Sequence, residues 1–282
     1  MSTYLADGAE DLVVEGRSAR FTYRRLGPRG GVPLVLLNRF RGTIDWWDPE
    51  FVDRLADGHD VIMFDNVGIG YTTGEPRDSV EEFADGAVDF VEALGLSQVD
   101  LLGWSLGGVV AQHVALRRPE LVRRFVVAGS GSGMTPDMPE MASRVLEIMA
   151  KPDADEDDLL YLFYPETDAA RAAGAEHLAK VSKRLAAGGP AVSEIAANRQ
   201  LEAIGKAWSV PWEQVRANLE TIEQPVLYAN GMHDVMVPAQ ASYLAVEHLD
   251  SAVLVLYSDA GHAFLFQHAK AFARQVADFL AD

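Results

Sequence analysis

Short apolar runs recur along the chain and alternate with longer stretches in which apolar residues return with helical period. After a hairpin-like opening (LVVEG, then SARFTYRRLG) come VPLVLLN ending at Asn38, DVIMFDN at Asn66 and VDLLGWS at Ser105. RRFVVAGS ending at Ser130, QPVLYANG at Gly231 and AVLVLYSDAGH at His262 follow. These runs are leucine-rich or β-branched and bounded by Gly, Asp, Asn or Ser, which predicts strands buried on both faces. Between them, residues 80–94 predict a helix, with Phe83, Ala87, Phe90, Val91 and Leu94 on one stripe. Ser79 and Glu82 have capping-box spacing, and Gly95 stands where helices commonly end. Residues 269–280 repeat the pattern with Phe272, Val276 and Phe279. Strands alternating with helices predict an α/β protein with a mostly parallel central sheet flanked by helices.

One region breaks the rhythm. Residues 131–218 contain no convincing strand, only Ala-, Met- and Leu-rich helical patterns split by Pro136, Pro139, Pro152, Pro165, Pro190 and Pro211. The expected organisation is therefore an α/β core from 1–130 and 219–282 with a helical lid inserted at 131–218. Such an insertion lies where it can cover the strand ends, the place at which open α/β sheets bind ligands.

Composition narrows the chemistry. With 49% apolar and 23% charged residues and a mean hydropathy near zero, the 282-residue chain has the make-up of a folded globular protein. Acidic residues outnumber basic ones 42 to 24, and a net charge of −18 argues against nucleic acid or anionic lipid as partner. No cysteine is present, so disulfides, thiol catalysis and thiolate metal sites are excluded. The opening MSTYLADGAEDLVVEG places acids where an export signal needs a basic start and an apolar run, and no apolar run approaches the ~18 to 20 residues that span a bilayer. A soluble, cytoplasmic protein is expected, without membrane partner; the sequence leaves a homodimer open.

The sharpest motif is Gly103-Trp104-Ser105-Leu106-Gly107-Gly108, between the strand VDLL and the helix-compatible GGVVAQHVALRR. In a G-x-S-x-G turn of this kind the serine hydroxyl projects above the sheet, and side chains at the glycines would collide with neighbouring backbone. A serine nucleophile needs a base. Of seven histidines only His262 directly follows a predicted core strand, in Asp259-Ala260-Gly261-His262. The base needs an orienting acid, and Asp234 follows the strand PVLYANG. The order Ser, Asp, His, each at the C-terminal end of a separate strand, completes a candidate triad of Ser105, Asp234 and His262.

On these residues the chain resembles the α/β-hydrolase superfamily over nearly its whole length, in the branch with a serine nucleophile. GWSLGG matches the nucleophile elbow, GMHDVMVP the acid loop and DAGHAFLFQHAKAF the histidine loop. FDNVGIGYT is similar to the family's D-x-x-G-x-G-x-S loop, with Asp65, Gly68 and Gly70 matching and Thr72 in the serine position. The resemblance implies hydrolysis of a small, largely apolar ester or lactone through an acyl-enzyme, with neither metal nor organic cofactor. It implies an oxyanion hole made by the N–H groups of Leu106 and Phe40. Carbon–carbon bond hydrolysis and cofactor-free perhydrolysis use the same triad in related proteins, and a non-catalytic ligand receptor is the alternative of another class. A serine at position 105 argues against the haloalkane dehalogenase and epoxide hydrolase branches, which carry aspartate there.

The chain departs from the family at Asn38-Arg39, where many members read His-Gly. The plainer expectation for Arg39 is a surface ion pair; the sharper one is that it enters the site and binds an acidic substrate group. From position, Arg39, Trp104, Met134, Met138, Phe163, Trp208, Trp212 and Val235 are the candidate pocket residues. His113 reads as a packed helix residue. His233 lacks partners at metal spacing, and His59, His177, His248 and His268 read as loop or helix-surface residues. GSGSG at 129–133 has the wrong phase for a nucleophile turn and reads as a flexible exit into the insertion.

Overall fold

The apolar runs pair into one eight-stranded sheet in the order β1-β2-β4-β3-β5-β6-β7-β8. In the computed structural model, residues 4–136 and 138–281 are described; positions 1–3 and 282 of the expected core, and 137 of the expected insertion, lie outside them. β1 (Leu12–Glu15) and β2 (Arg20–Leu26) form the antiparallel hairpin. β2 pairs antiparallel with β4 (Val61–Phe64). The remaining pairings, among β3 (Leu34–Leu37), β4, β5 (Val99–Trp104), β6 (Val122–Ala128), β7 (Val226–Gly231) and β8 (Ala252–Tyr257), are parallel.

Every residue of β3, β4, β5 and β7 is buried, yet the period of two persists. Leu34 and Leu36 join a core with Phe51, Phe266 and Phe272, while Val35 and Leu37 join one with Phe64, Phe90 and Val110 on the other face. The helices α1 (Pro49–Ala56) and α11 (Ala269–Ala281) supply the first core, α2 (Val80–Ala93) and α3 (Leu106–Arg117) the second. AVLVLY departs from expectation: as the outermost strand, β8 leaves Val253 and Leu256 exposed. Ser79 caps α2 by accepting from the Glu82 N–H, but the Glu82 carboxylate takes the N–H of Asp78, so half of the capping box forms.

From β3 the chain moves one way to β4 and returns past β3 to β5, so winding reverses between β3 and β5. The C-terminal ends of those two strands border the crevice in which doubly wound sheets place ligands, and here they carry Arg39 and Ser105.

Between β6 and β7 lie α4 (Ser143–Ala150), α5 (Glu156–Phe163), α6 (Asp168–Ala186), α7 (Glu194–Trp208) and α8 (Trp212–Leu219), with no strand among the described residues. The exit into them is not loose. Gly129 donates to Ala229 O at 2.9 Å, and buried Ser130 accepts from Ser242 Oγ at 3.1 Å. After β7 come α9 (Ala239–Val246) and the short α10 (Phe264–Gln267). No helix of the described residues is long and apolar enough to cross a membrane.

Asp65, just beyond β4, fastens the loop after β3. It is fully buried and accepts from Ile44 N at 2.8 Å, Tyr71 N at 3.1 Å and Asn38 Nδ2 at 3.2 Å. Burial pushes its carboxyl up to about 7, against the pull of the Tyr71 and Ile44 amides. Asp65→Ala strands the Ile44 and Tyr71 amides, each costing about 1–3 kcal/mol when buried and unpaired, and takes one of two bonds from Asn38 Nδ2, which keeps Phe64 O. Urea unfolding of that variant should show a loss of about 2 kcal/mol or more, and an unchanged midpoint would contradict the fastening role.

Candidate active site

Ser105 sits between β5 and α3 with φ 57° and ψ −120°, a sparsely populated conformation for an L-residue. Its N–H donates to Ala128 O at 2.9 Å and its carbonyl accepts from Gly108 N at 2.8 Å, which fixes the turn to β6 on one side and to α3 on the other. A Cβ on Gly103 would lie 2.0 Å from Gly107 O, and one on Gly107 would lie 2.1 Å from Leu37 O. Main chain meets main chain at both glycines, so neither position tolerates a side chain without the backbone moving.

His262 lies in the loop between β8 and α10 and is fully buried. Its Nδ1 is 2.8 Å from Asp234 Oδ2. The other Asp234 oxygen accepts from the N–H groups of Met236 and Val237, both at 2.8 Å, so the carboxylate is held on both sides. Phe163 and Trp104 flank the imidazole, with ring centroids 5.9 Å and 5.8 Å away, and Trp104 Nε1 donates to His262 O at 3.1 Å. A carboxylate only accepts, which assigns the proton to Nδ1 and leaves Nε2 with its lone pair. Nε2 is buried without a hydrogen-bond partner, and the bond to the Ser105 hydroxyl is not made in this structure.

The loop after β3 turns sharply at Arg39-Phe40-Arg41-Gly42, where Gly42 N donates to Arg39 O at 3.0 Å and Arg41 has φ 54°. That φ suits the third residue of a type II turn. Arg41 N donates to the buried side chain of Gln200 at 2.9 Å, so α7 braces the turn that carries Phe40. Leu106 opens α3, and its N–H is among the four that a helix leaves without an internal acceptor.

A cavity of about 310 Å³ opens here, lined by Ser105, His262, Phe40 and Arg39 and closed by apolar residues such as Leu159 and Leu162 of α5. A second, apolar recess of about 50 Å³ shares Phe40, Ser105, Met149 and Met236 with it and reaches Trp208 of α7. The reacting position thus stands between a larger and a smaller space.

The surface ion pair expected for Arg39 does not exist. Arg39 is 6% exposed and no carboxylate of the described residues pairs with it. Its guanidinium lies over the rings of Trp46 at 4.5 Å, Phe163 at 5.0 Å and Trp104 at 5.4 Å. Nη1 donates to Phe40 O at 2.6 Å, whereas Nε has no partner. Burial pulls the guanidinium down to about 9, with a further push from Arg41.

A family model described as the alpha/beta hydrolase fold matches residues 32–269. The chain belongs to that family. An alpha/beta hydrolase fold protein from Chitinophaga pinensis superposes with a TM-score of 0.87 at 28% identity, covering 98% of each chain. A RutD protein of Pseudomonas savastanoi pv. phaseolicola, assigned by name to carbamate hydrolysis, is 30% identical over 88% of this chain and 93% of its own length. A 2-hydroxymuconate semialdehyde hydrolase of Pseudomonas sp. strain CF600 is 29% identical over 89% and 88%. This alpha/beta hydrolase is accordingly an enzyme of the hydrolase class.

In this hydrolase the cavity gathers Ser105, His262, Phe40, Arg39 and Phe163, and the recess takes Leu106 and Trp208. Asp234 lies behind His262, and Trp104 forms the wall behind Phe163 and Arg39. Four expected pocket residues are not brought to the site. Met134 and Val235 are 45% and 38% exposed on loops. Met138 accepts from Thr135 Oγ1 at 3.2 Å, and Trp212 packs on His248. His177 is not on a helix surface: it is buried in α6 with Nδ1 2.8 Å from the Tyr164 hydroxyl, and burial pulls it down to about 3. Sequence reasoning found Phe163 of α5 but missed Gln200 and the cavity-lining Leu159 and Leu162, because their signal is the same apolar or polar spacing that any packed helix shows.

The strain at Ser105 predicts that Ser105→Gly is more stable than Ser105→Ala, by about 1 kcal/mol once glycine's greater chain entropy is set against the 1–3 kcal/mol of relieved strain. Chemical denaturation of the two variants side by side measures this. Equal stabilities would mean the turn is not strained.

Proposed function

We propose that the protein is a serine hydrolase that cleaves small, largely apolar carboxylic esters or lactones through an acyl-enzyme. The observation that carries the reading is the His262 Nδ1–Asp234 bond at 2.8 Å with a bare Nε2, on the cavity that Ser105 also lines. Ser105 Oγ attacks the carbonyl carbon while Nε2 takes its proton; the same proton passes to the departing alkoxide. Water then repeats the sequence on the acyl-enzyme and releases the acid. The N–H groups of Phe40 and Leu106 stabilise the oxyanion, and Asp234 holds the tautomer and the imidazolium. Helices α4 to α8 act as the lid: α5 walls the larger space and α7 the recess, which supports a role in selecting substrate.

The similarity to a relative named 2-hydroxymuconate semialdehyde hydrolase favours a second reading, hydrolysis of a carbon–carbon bond by the same triad.

Steady-state kinetics on a panel of 4-nitrophenyl esters, lactones and a 1,3-diketone test both. Ser105→Ala and His262→Ala should each lower kcat by about 10⁴-fold or more, and Asp234→Asn by about 10³- to 10⁴-fold, because the amide favours the wrong tautomer. Ester turnover that survives Ser105→Ala would refute the proposal. Faster turnover of the diketone than of any ester would transfer the assignment to the second reading.

A further inference from the structure

One cation on the larger cavity is both buried and without an attracting carboxylate among the described residues. Asp45 is matched by Arg24 at 2.7 Å and takes a further hydrogen bond from the Tyr71 hydroxyl at 3.0 Å. Arg41, the second cation on the cavity, also has a bare Nε, but it is only half-buried, faces the attraction of Asp153 and Glu194, and donates through Nη1 to the carbonyls of Lys151 and Pro152. Arg39 has no such partner: it is buried, one nitrogen is spent on the Phe40 carbonyl, and Nε is left bare. The three aromatic faces around it soften the loss of hydration, but cation–π contacts return only about 0.5–2 kcal/mol each. Burying an unpaired charge costs several kcal/mol even after relaxation. Arginine stays protonated at neutral pH and cannot escape that cost by neutralisation.

We infer that the unpaired Arg39 guanidinium is the anchor for a carboxylate on the substrate, so that the enzyme selects small acids whose scissile carbonyl stands a few bonds from a free carboxylate. Arg39 and Phe40 share one four-residue turn, and the Arg39 side chain is tied to the Phe40 carbonyl. A carboxylate held there is positioned relative to the Phe40 N–H and hence to the oxyanion. The remaining body of the substrate meets apolar walls, and the small recess beyond Ser105 takes the other end. The inference rests on the hydrolase reading for the word substrate, but the anion site itself does not depend on it.

The test compares mono-4-nitrophenyl glutarate with neutral 4-nitrophenyl pentanoate in the wild type, Arg39→Met and Arg39→Lys. In parallel, calorimetry follows binding of monomethyl glutarate to Ser105→Ala with and without Arg39→Met. The wild type should prefer the anionic ester in kcat/KM, and Arg39→Met should cut that preference by about 30-fold or more, chiefly through KM. Arg39→Lys should restore part of it. Arg39→Met, relieved of a buried charge, should melt no lower than the wild type.

Equal use of both esters, or a preference that survives Arg39→Met, overturns the inference while leaving serine hydrolysis intact. Arg39-dependent binding of monomethyl glutarate without ester turnover sustains the anion site and refutes the hydrolysis reading. No binding and no preference overturns the inference, and failure of both Arg39 variants to fold assigns Arg39 to the core and overturns it as well.

Discussion

The site depends on main-chain atoms in direct contact where β5 gives way to α3. Gly103 lies against the Gly107 carbonyl and Gly107 against the Leu37 carbonyl, so β3, β5 and the first turn of α3 are locked at distances that no side chain permits. The strained φ of Ser105 persists because this contact and the hydrogen bond to Ala128 over-determine it. Once the turn is set, the serine hydroxyl, the open end of α3 and the loop after β3 have fixed relations. Reversal of winding between β3 and β5 places all three at one crevice.

Around that turn, distant segments are tied by buried polar groups. Asp65 holds the β3 loop to the loop after β4, Gln200 braces it from α7, and the two Asp234 oxygens are divided between their own loop and His262. Each tie lets a loop behave as a rigid element, as a site built on loops requires. Arg39 is less fully satisfied. A fold that pairs Asp45 with Arg24 and Asp60 with Arg25 has supplied Arg39 with a carbonyl but, among the described residues, with no carboxylate. Real proteins break such local rules chiefly where function repays the cost.

Much of this was legible from the chain alone. The apolar runs named the strands because strands buried on both faces need apolar residues at every position, and the G-x-S-x-G turn read correctly as strand, elbow and helix because its glycines answer a backbone collision. Burial on both faces failed for β8, since an apolar run does not reveal which strand ends the sheet. The lining of the cavity was less legible still. Met134, Met138, Trp212 and Val235 are apolar like Leu159 and Leu162, and helical period cannot say whether an apolar face meets a neighbour, a cavity or solvent. Arg39 was misplaced in the plainer reading because its environment is assembled from Trp46, Trp104 and Phe163, which are far apart in sequence.

The central claim is that Ser105 is a nucleophile activated by His262. Intact-mass measurement of fluorophosphonate labelling, comparing the wild type with Ser105→Ala and His262→Ala, tests it most directly. The account predicts a single adduct on the wild type, none on Ser105→Ala and a much slower one on His262→Ala. Folded wild-type protein that acquires no adduct, or an adduct that persists in Ser105→Ala, would contradict it.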